Sequence, residues 1–197
     1  MAFVAYDPIL GEVDLSIVDN GGPGPFSIPG TSGATYGRNS QYFGEIRGYD
    51  TRLGGGAFVY AAYGATLLAG AVVQFVESLS AAGLLITTAI AWTGTANAGQ
   101  PLGVAVAVTG GTGNWGWFQV AGPAITNVSG TPTANAPVYW QAAGVVSGTG
   151  VASKQVDGAQ FATTNAITLG TGNAAQVLPS TQAVVLLQYP SSQSAIT

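Results

Sequence analysis

The chain contains no cysteine and no histidine, and these two absences exclude several kinds of site. Without cysteine there is no disulfide, no thiolate nucleophile and no cysteine-ligated zinc. Without histidine the chain lacks the usual general base near neutral pH and the commonest metal ligand. We therefore expect a protein that is not an enzyme and that uses no cofactor or metal.

Charge is also scarce, since 6% of the 197 residues are charged, against about 25% in ordinary soluble proteins. The 4 Lys and Arg residues stand against 8 Asp and Glu residues, which gives a net charge of −4. Nucleic-acid affinity rests on basic side chains that neutralise phosphates, so we expect no nucleic-acid partner. A monomer with so few surface charges would be poorly soluble. Much of the surface is therefore expected to contact other subunits, a larger assembly or lipid.

The charged residues are unevenly distributed, because ten of the twelve lie between Asp7 and Glu77. This split predicts an N-terminal arm, residues 1–52, followed by a β-rich body, residues 53–197. The arm contains a run of glycine and proline at 21–25, which disfavours helices and central strands. It also carries seven tyrosine and phenylalanine residues. Aromatic rings on an irregular backbone need a surface to bury them, either on neighbouring protein or on the chain's own body.

Short apolar segments separated by Gly, Pro, Ser, Thr and Asn recur through the body. Such a pattern is typical of an all-β sandwich or barrel. Residues 104–108 alternate valine and alanine, and a glycine-rich turn leads from them to the aromatic segment 115–120, which predicts a hairpin. The other predicted strands are 57–63, 71–77, 84–92, 124–128, 137–142, 144–146, 161–163, 166–169 and 183–189. The expected fold is an antiparallel, jelly-roll-like sandwich or barrel with an extended, irregular N-terminal arm.

The uncharged run 57–76 is long enough to cross a bilayer as a helix. Glycines and tyrosines interrupt it, however, and no cluster of Lys and Arg flanks it to set an orientation. We interpret the run as two strands joined by a turn at 64–70. A membrane-spanning helix is kept as an alternative.

Residues 111–116 match the pattern GxGxxG literally. A dinucleotide site needs a helix directly after these glycines, and an acidic residue about twenty positions further on. Residues 115–120 have the pattern of a strand, and no acid occurs before Asp157. The motif is therefore interpreted as the turn of a hairpin.

Two groups of acids are candidates for chemistry, one for calcium binding and one for a pair of catalytic carboxylates. The first group, Asp7, Glu12, Asp14 and Asp19, does not have the spacing of a known calcium-binding loop. The second group lies beside arginines, which more simply form ion pairs with it. We therefore predict no metal site and no catalytic residue. The two groups are Asp7, Glu12, Asp14 and Asp19, and Glu45, Asp50 and Glu77.

The four tryptophans all lie in the body, where they could form a sugar-binding platform or anchor a core or an interface. We favour the second interpretation, because tryptophans in β-rich proteins usually have that role. The predicted core or interface aromatics are Trp92, Trp115, Trp117, Phe118 and Trp140.

Three stretches of the body share a characteristic pattern of small apolar residues. The first is GAFVY at 56–60, which runs on to VVQF at 72–75. The second runs from PLGVA at 101–105 to GWFQVAG at 116–122, and the third is VVLLQYP at 184–190. Together they resemble the small capsid decoration proteins of tailed bacteriophages, also called head cement proteins. The resemblance leaves residues 1–52 uncovered.

The resemblance implies a structural virion protein, made in the host cytoplasm, that binds the outer surface of a phage capsid and cements neighbouring major capsid subunits. Its partners would be the major capsid protein and its own copies, as a trimer or a dimer. Arm residues that combine aromatic and arginine character are expected at the capsid contact, because such side chains dominate interfaces. They are Tyr42, Phe43, Arg47, Tyr49 and Arg52.

Two alternatives stay open beside the membrane helix. The predicted contact residues could instead pack on the chain's own body. The protein could also be a carbohydrate-binding or adhesin-like module of a fibre or spike that uses exposed tryptophans.

Overall fold

A computed structural model describes most of the body and three segments of the predicted arm. The described residues are 4–7, 11–14, 46–50, 52–79, 85–108, 112, 114–172 and 175–195. This part of the chain forms strands and no α-helix, which confirms the predicted all-β fold. The strands are β1 Val4–Asp7, β2 Gly11–Asp14, β3 Ile46–Asp50, β4 Gly54–Tyr63, β5 Val72–Leu79, β6 Leu85–Ala91, β7 Leu102–Ala105, β8 Trp115–Asn127, β9 Pro137–Ala142, β10 Val145–Ser147, β11 Gln155–Asn165, β12 Thr168–Leu169, β13 Gln176–Val177 and β14 Gln182–Ser192.

Five strands close into a ring of hydrogen-bonded pairs, which we call the barrel. Around the ring β4 pairs with β8, β8 with β7, β7 with β5, β5 with β6, and β6 with β4. Four of these pairs are antiparallel, and the closing pair β4–β6 is parallel at Ala62↔Thr88 and Tyr63↔Ala89. Closure removes the free edges that an open sheet would present.

A second layer begins where β8 leaves the barrel. Past Ala121, β8 pairs with β14, and the sheet continues through β11 and β9 to β10. Gly122 lies at this transition with a φ of +86°, and a Cβ there would collide with the carbonyl oxygen of Gly55. Only glycine fits this close approach of β8 to β4. We call the second layer, with the barrel face that it covers, the sandwich.

Alternate residues of the shared strands face two different hydrophobic cores, as the two-residue period of a strand requires. Val72 contributes to the sandwich core, whereas its neighbour Val73 contributes to the barrel core. Val104 and Ala105 on β7 divide in the same way. A smaller cluster, centred on Leu178, lies on the outer face of β8 and β14.

The described segments of residues 1–52 are strands that continue the sheet beyond β4. β3 pairs antiparallel with β4, from Ile46↔Phe58 to Asp50↔Gly54, and β1 and β2 follow in order. The strand β3 is therefore hydrogen-bonded to the body, and β1 and β2 extend the sheet beyond it.

The predicted strands at 57–63 and 71–77 are confirmed as β4 and β5, with a turn between them. The predicted hairpin after residues 104–108 is confirmed as well, since Val104 of β7 pairs with Gln119 of β8. Residues 115–120 form a strand rather than a helix, so the GxGxxG match lacks the helix of a dinucleotide site. In the described part of the chain, no helix has the length and apolar character needed to cross a membrane.

Several predicted boundaries were wrong, and two of them lie at backbone irregularities. Residues 115–120 and 124–128 were predicted as separate strands but form the single strand β8 across Gly122. β14 was predicted to end before Pro190 but continues to Ser192. The pairing shifts between Asp157 and Ala159, which marks a β-bulge, and Tyr189 has a φ of +51°. A bulge accommodates proline, because the ladder there does not need its N–H.

Candidate interaction site at the barrel mouth

One end of the barrel opens into an apolar groove of about 290 Å³. Val59, Phe75, Leu102 and Val120 line it from four of the five barrel strands, and Tyr189 of β14 joins them from the second layer. Val59 and Phe75 also pack against the barrel core. The groove is therefore the mouth of the barrel, and we call it the mouth groove.

A two-stranded ribbon forms one wall of the mouth groove. β7 stops pairing with β5 at Gln74, and β4 pairs with β6 no earlier than Thr88. The ends of β5 and β6, residues 77–79 and 85–87, are therefore paired only with each other among the described strands. Glu77 lies on this ribbon, and its Oε1 accepts a hydrogen bond of 2.7 Å from Thr87 Oγ1.

The ribbon ends in an exposed leucine. Since alternate residues of a strand share a face, Leu79 lies on the same face as Phe75 and Glu77, which line the groove. The side chain of Leu79 is 72% exposed. It extends the apolar surface of the groove outward along the ribbon.

Tyrosines and an arginine border the other wall. Arg47 Nη2 on β3 donates a hydrogen bond of 3.4 Å to Tyr189 Oη. Tyr49 lies two residues further along β3, on the same face as Arg47. Tyr49 is 61% exposed and Tyr189 is 58% exposed. Glu77 and Tyr189 therefore line the mouth groove itself, and Arg47 is connected to it through its hydrogen bond to Tyr189.

The structure separates the residues predicted for capsid contact. Arg47 bonds to Tyr189, which lines the mouth groove, and Tyr49 is an exposed residue on the same face of β3. Tyr42 and Phe43 lie outside the described residues. Arg52 lies in the turn between β3 and β4, where it forms an ion pair with Asp50. Capsid contact by these residues stays a prediction.

An ion pair closes the β3–β4 turn. Arg52 Nη2 lies 2.8 Å from Asp50 Oδ2, and the side chain of Asp50 is almost completely buried. Asp50 Oδ1 also accepts hydrogen bonds from the backbone N–H groups of Arg52 and Leu53. Burial raises the pKa of Asp50, but the hydrogen bonds and charge of Arg52 outweigh it, so the pKa lies below its usual value. The pair holds the first residues of β4 in place.

The predicted core or interface aromatics are mostly internal. Trp92 and Phe118 are fully buried, and Trp117 is nearly so. Trp115 and Trp140 are half-buried. Two of the four tryptophans are buried and the other two are only partly exposed, so burial gives the carbohydrate-binding alternative no specific support.

The two half-buried tryptophans are held by named neighbours. The ring of Trp115 stacks on Tyr60 with centroids 5.7 Å apart. Trp140 Nε1 donates a hydrogen bond of 3.2 Å to the carbonyl oxygen of Trp92. Lys154 Nζ lies 4.0 Å from the centre of the Trp140 ring, a cation–π contact. Both rings are therefore fixed by contacts within the body.

Sequence reasoning missed two exposed side chains, Tyr189 in the lining of the groove and Leu79 at the end of its ribbon wall. Tyr189 precedes Pro190, and that pair was a usable signal, because a proline inside a strand pattern indicates a bulge that can turn a side chain outward. Leu79 gave no comparable signal, since its exposure depends on how far the ribbon of β5 and β6 extends past the points where β7 and β4 stop pairing with it.

Among the side chains that the structure describes, no three acids gather in a way that could hold a metal ion. Asp7, Glu12, Asp14 and Asp19, the candidate calcium ligands, lie outside those described side chains.

The chain matches no profile of a known protein family, no curated protein and no solved structure. The resemblance to phage decoration proteins stays a prediction from the sequence.

Proposed function

We propose that the protein is a structural virion protein that binds the outer surface of a phage capsid and cements neighbouring major capsid subunits. The observation that supports this function best is the mouth groove, with exposed Tyr189 in its lining, exposed Leu79 at the end of its ribbon wall and exposed Tyr49 on strand β3. Exposed apolar surface of this kind marks sites of protein interaction. Aromatic and arginine side chains contribute most of the binding energy at such sites.

The low content of charged residues also supports this function. With 6% charged residues, the chain has a surface that suits permanent contacts better than free diffusion. The cores of permanent interfaces are poor in charge. A protein that binds only the assembled lattice stabilises that lattice by mass action, and capsid symmetry repeats each contact many times. The activity requires no catalytic group.

Co-sedimentation tests this function. Heads of the virus that encodes the chain, produced without this protein, are mixed with purified protein and spun through a cushion. We expect the wild-type protein to sediment with the heads and to delay their opening on heating. Tyr49→Ser and Tyr189→Ser should each weaken binding by about tenfold or more, the loss of about 1.4 kcal/mol expected for an interface aromatic.

The matched control is Val177→Ser on β13. Val177 is 73% exposed, and it does not line the mouth groove. This variant should bind the heads as the wild type does. Absence of wild-type binding would overturn the function, whereas normal binding by both tyrosine variants would move the contact to another face.

A further inference from the structure

The second layer is irregular at one place, where β11 and β14 bulge against each other. Gly158 of β11 faces the three residues 188–190 of β14, because the pairing shifts between Asp157 and Ala159. On its other edge β11 carries three residues, 157–159, for which β9 has no partner. Bulges are frequent next to active sites, where they redirect side chains. The double bulge is therefore a candidate for a second site.

The double bulge opens a cleft of about 310 Å³, which we call the bulge cleft. Leu186 and Gln188 line it, and Leu187 between them belongs to the sandwich core, so the cleft lies on the outer face of the second layer. The next residue, Tyr189, lines the mouth groove instead. Gly158 forms part of the wall with a φ of +71°, and a Cβ there would lie 2.7 Å from the carbonyl oxygen of Gln188. The backbone that shapes the cleft therefore requires glycine.

The lining of the bulge cleft is polar but carries no charge. Its polar side chains are the three amides of Asn135, Gln160 and Gln188. Gln160 Nε2 donates a hydrogen bond of 2.7 Å to the backbone carbonyl oxygen of Asn135, which connects these two residues. Among the described residues, none bonds to the side-chain amide of Asn135 or of Gln188. Both amides are therefore available to a ligand.

These groups match an uncharged ligand that carries hydroxyl groups. Each amide has donors and acceptors, as hydroxyl groups do, so the two can exchange hydrogen bonds in either direction. Pro137 and Leu186 supply apolar surface for the C–H face of a sugar ring. A phosphate or an acidic sugar would call for a basic side chain, and no Lys or Arg is among the described residues that line the cleft.

A peptide is a less suitable ligand for this place. An extended peptide binds by adding a strand to a free sheet edge. The bulge cleft instead lies across β9, β11 and β14, which are paired with one another on both sides of the bulge. Side-chain amides on the face of a sheet suit the scattered hydroxyl groups of a sugar better than the regular backbone of a strand.

We propose that the bulge cleft binds a neutral mono- or disaccharide, with the side-chain amides of Asn135 and Gln188 bonded to its hydroxyl groups. Among the described residues, none lines both this cleft and the mouth groove. Carbohydrate binding is therefore independent of the proposed capsid function. It also differs from the tryptophan platform considered from the sequence, because no tryptophan is among the described residues that line the cleft.

NMR titration of the full-length, ¹⁵N-labelled chain measures this binding. The probes are maltose, cellobiose, lactose and diacetylchitobiose, each added up to millimolar concentrations. We expect at least one disaccharide to shift the side-chain amide resonances of Asn135 and Gln188 in a saturable way. The amide of Gln141, an exposed residue of β9 outside the cleft, should not shift. Absence of a saturable shift with all four probes would overturn the proposal, and it is also the result expected if residues of the chain outside the described part fill the cleft.

Two variants test whether the amides hold the sugar. Gln188→Ala removes one amide, and Asn135→Gly removes the other while keeping a residue that adopts the φ of +66° without strain. Each should weaken binding of the responding disaccharide about fivefold, the loss typical of one hydrogen bond. Gln141→Ala is the matched control and should bind as the wild type does.

Backbone amide resonances check that each variant keeps the wild-type fold. Binding of wild-type strength by both Gln188→Ala and Asn135→Gly would overturn the proposal, because the sugar would then lie elsewhere. None of these outcomes decides whether the protein binds heads, which the co-sedimentation experiment measures separately.

Discussion

The barrel core and the sandwich core share strands but are filled with different side chains. Among the described residues, half of the buried barrel cluster is alanine, and its two aromatic members are Tyr63 and Phe118. The sandwich cluster consists mainly of valine and leucine, with Phe161 and Trp92 among them. The two cores lie on opposite faces of the same backbone, as Val72 and Val73 illustrate.

The difference follows from the space that each arrangement encloses. A ring of five strands leaves a narrow interior, so a few aromatic rings fill it and their neighbours must be small. Two facing layers lie about 10 Å apart, which suits interdigitating branched aliphatic side chains. The barrel should therefore be sensitive to added volume and to polar atoms, and the sandwich to lost volume. Three predictions test this contrast.

The largest effect is expected from truncation in the sandwich. Phe161 is fully buried and pairs with Val185 across β11 and β14. Phe161→Ala should lower the free energy of unfolding by about 3–5 kcal/mol, the sum of lost apolar burial and an unfilled cavity. Urea denaturation followed by tryptophan fluorescence measures the change.

Two control variants separate the effect of lost side-chain volume from the effect of truncating a residue that is not buried. Phe161→Leu keeps most of the side chain and should cost clearly less than the alanine variant. Leu186→Ala removes a partly exposed side chain of β14 next to Val185 and should change stability little. A loss below about 1 kcal/mol for Phe161→Ala would show that the sandwich tolerates cavities and is not sensitive to lost volume.

The next effect concerns a polar atom inside the barrel. The hydroxyl group of Tyr63 is buried and has no hydrogen-bond partner among the described residues. Burial raises the pKa of Tyr63 from 10.0 to about 12. Below pH 10.0 the folded and unfolded states both hold the proton, so stability does not depend on this group.

Above that pH the unfolded state loses the proton first and therefore binds fewer protons than the folded state. The free energy of unfolding should then fall by about 1.4 kcal/mol per pH unit, until the folded phenol ionises at about pH 12. Urea denaturation at a series of pH values measures the slope. Tyr63→Phe should reduce the slope by that amount, because the group that titrates is gone. Equal slopes for both proteins would show that the hydroxyl group reaches water.

The strands that the sequence predicted correctly are those whose hydrophobic pattern and flanking turn residues lie within one short segment. Residues 57–63, 84–92 and 137–142 alternate or carry β-branched side chains between turn residues, and β4, β6 and β9 lie there. The strand β8 was predicted in two pieces, because Gly122 and Pro123 have the composition of a turn. Both residues pair with β14, at Gly122↔Leu187 and Pro123↔Leu186, which keeps them in the strand, and no local pattern encodes that partner.

The candidate site was predictable to a smaller extent. Arg47 and Tyr49 were singled out for their residue types; Arg47 bonds to Tyr189 of the mouth groove, and Tyr49 is exposed on the same face of β3. The groove itself arises from ring closure, and the parallel pair β4–β6 joins segments whose order along the chain gives no hint of it. Exposure of Leu79 depends on where β7 and β4 stop pairing with their neighbours. Such features are properties of the assembled sheet rather than of any segment.

The smallest effect is expected from adding one methyl group inside the barrel. A Cβ on Gly116 would lie 2.5 Å from the hydroxyl oxygen of Tyr63 and 2.8 Å from its ring. The ring is also held by Phe118, with centroids 4.9 Å apart, so it has little freedom to move. Gly116→Ala should lower the free energy of unfolding by about 1–3 kcal/mol, a cost typical of overpacking.

A double-mutant cycle connects this prediction to the Tyr63 hydroxyl group. In the Tyr63→Phe background the closest clashing atom is absent, so Gly116→Ala should cost about 1 kcal/mol less. Gly55→Ala on β4 is the matched control, because its Cβ would meet only the carbonyl oxygen of Gly48 at 3.8 Å. Additive effects of the two barrel substitutions would mean that the interior has spare room, and the scarcity of large side chains there would then need a cause other than space.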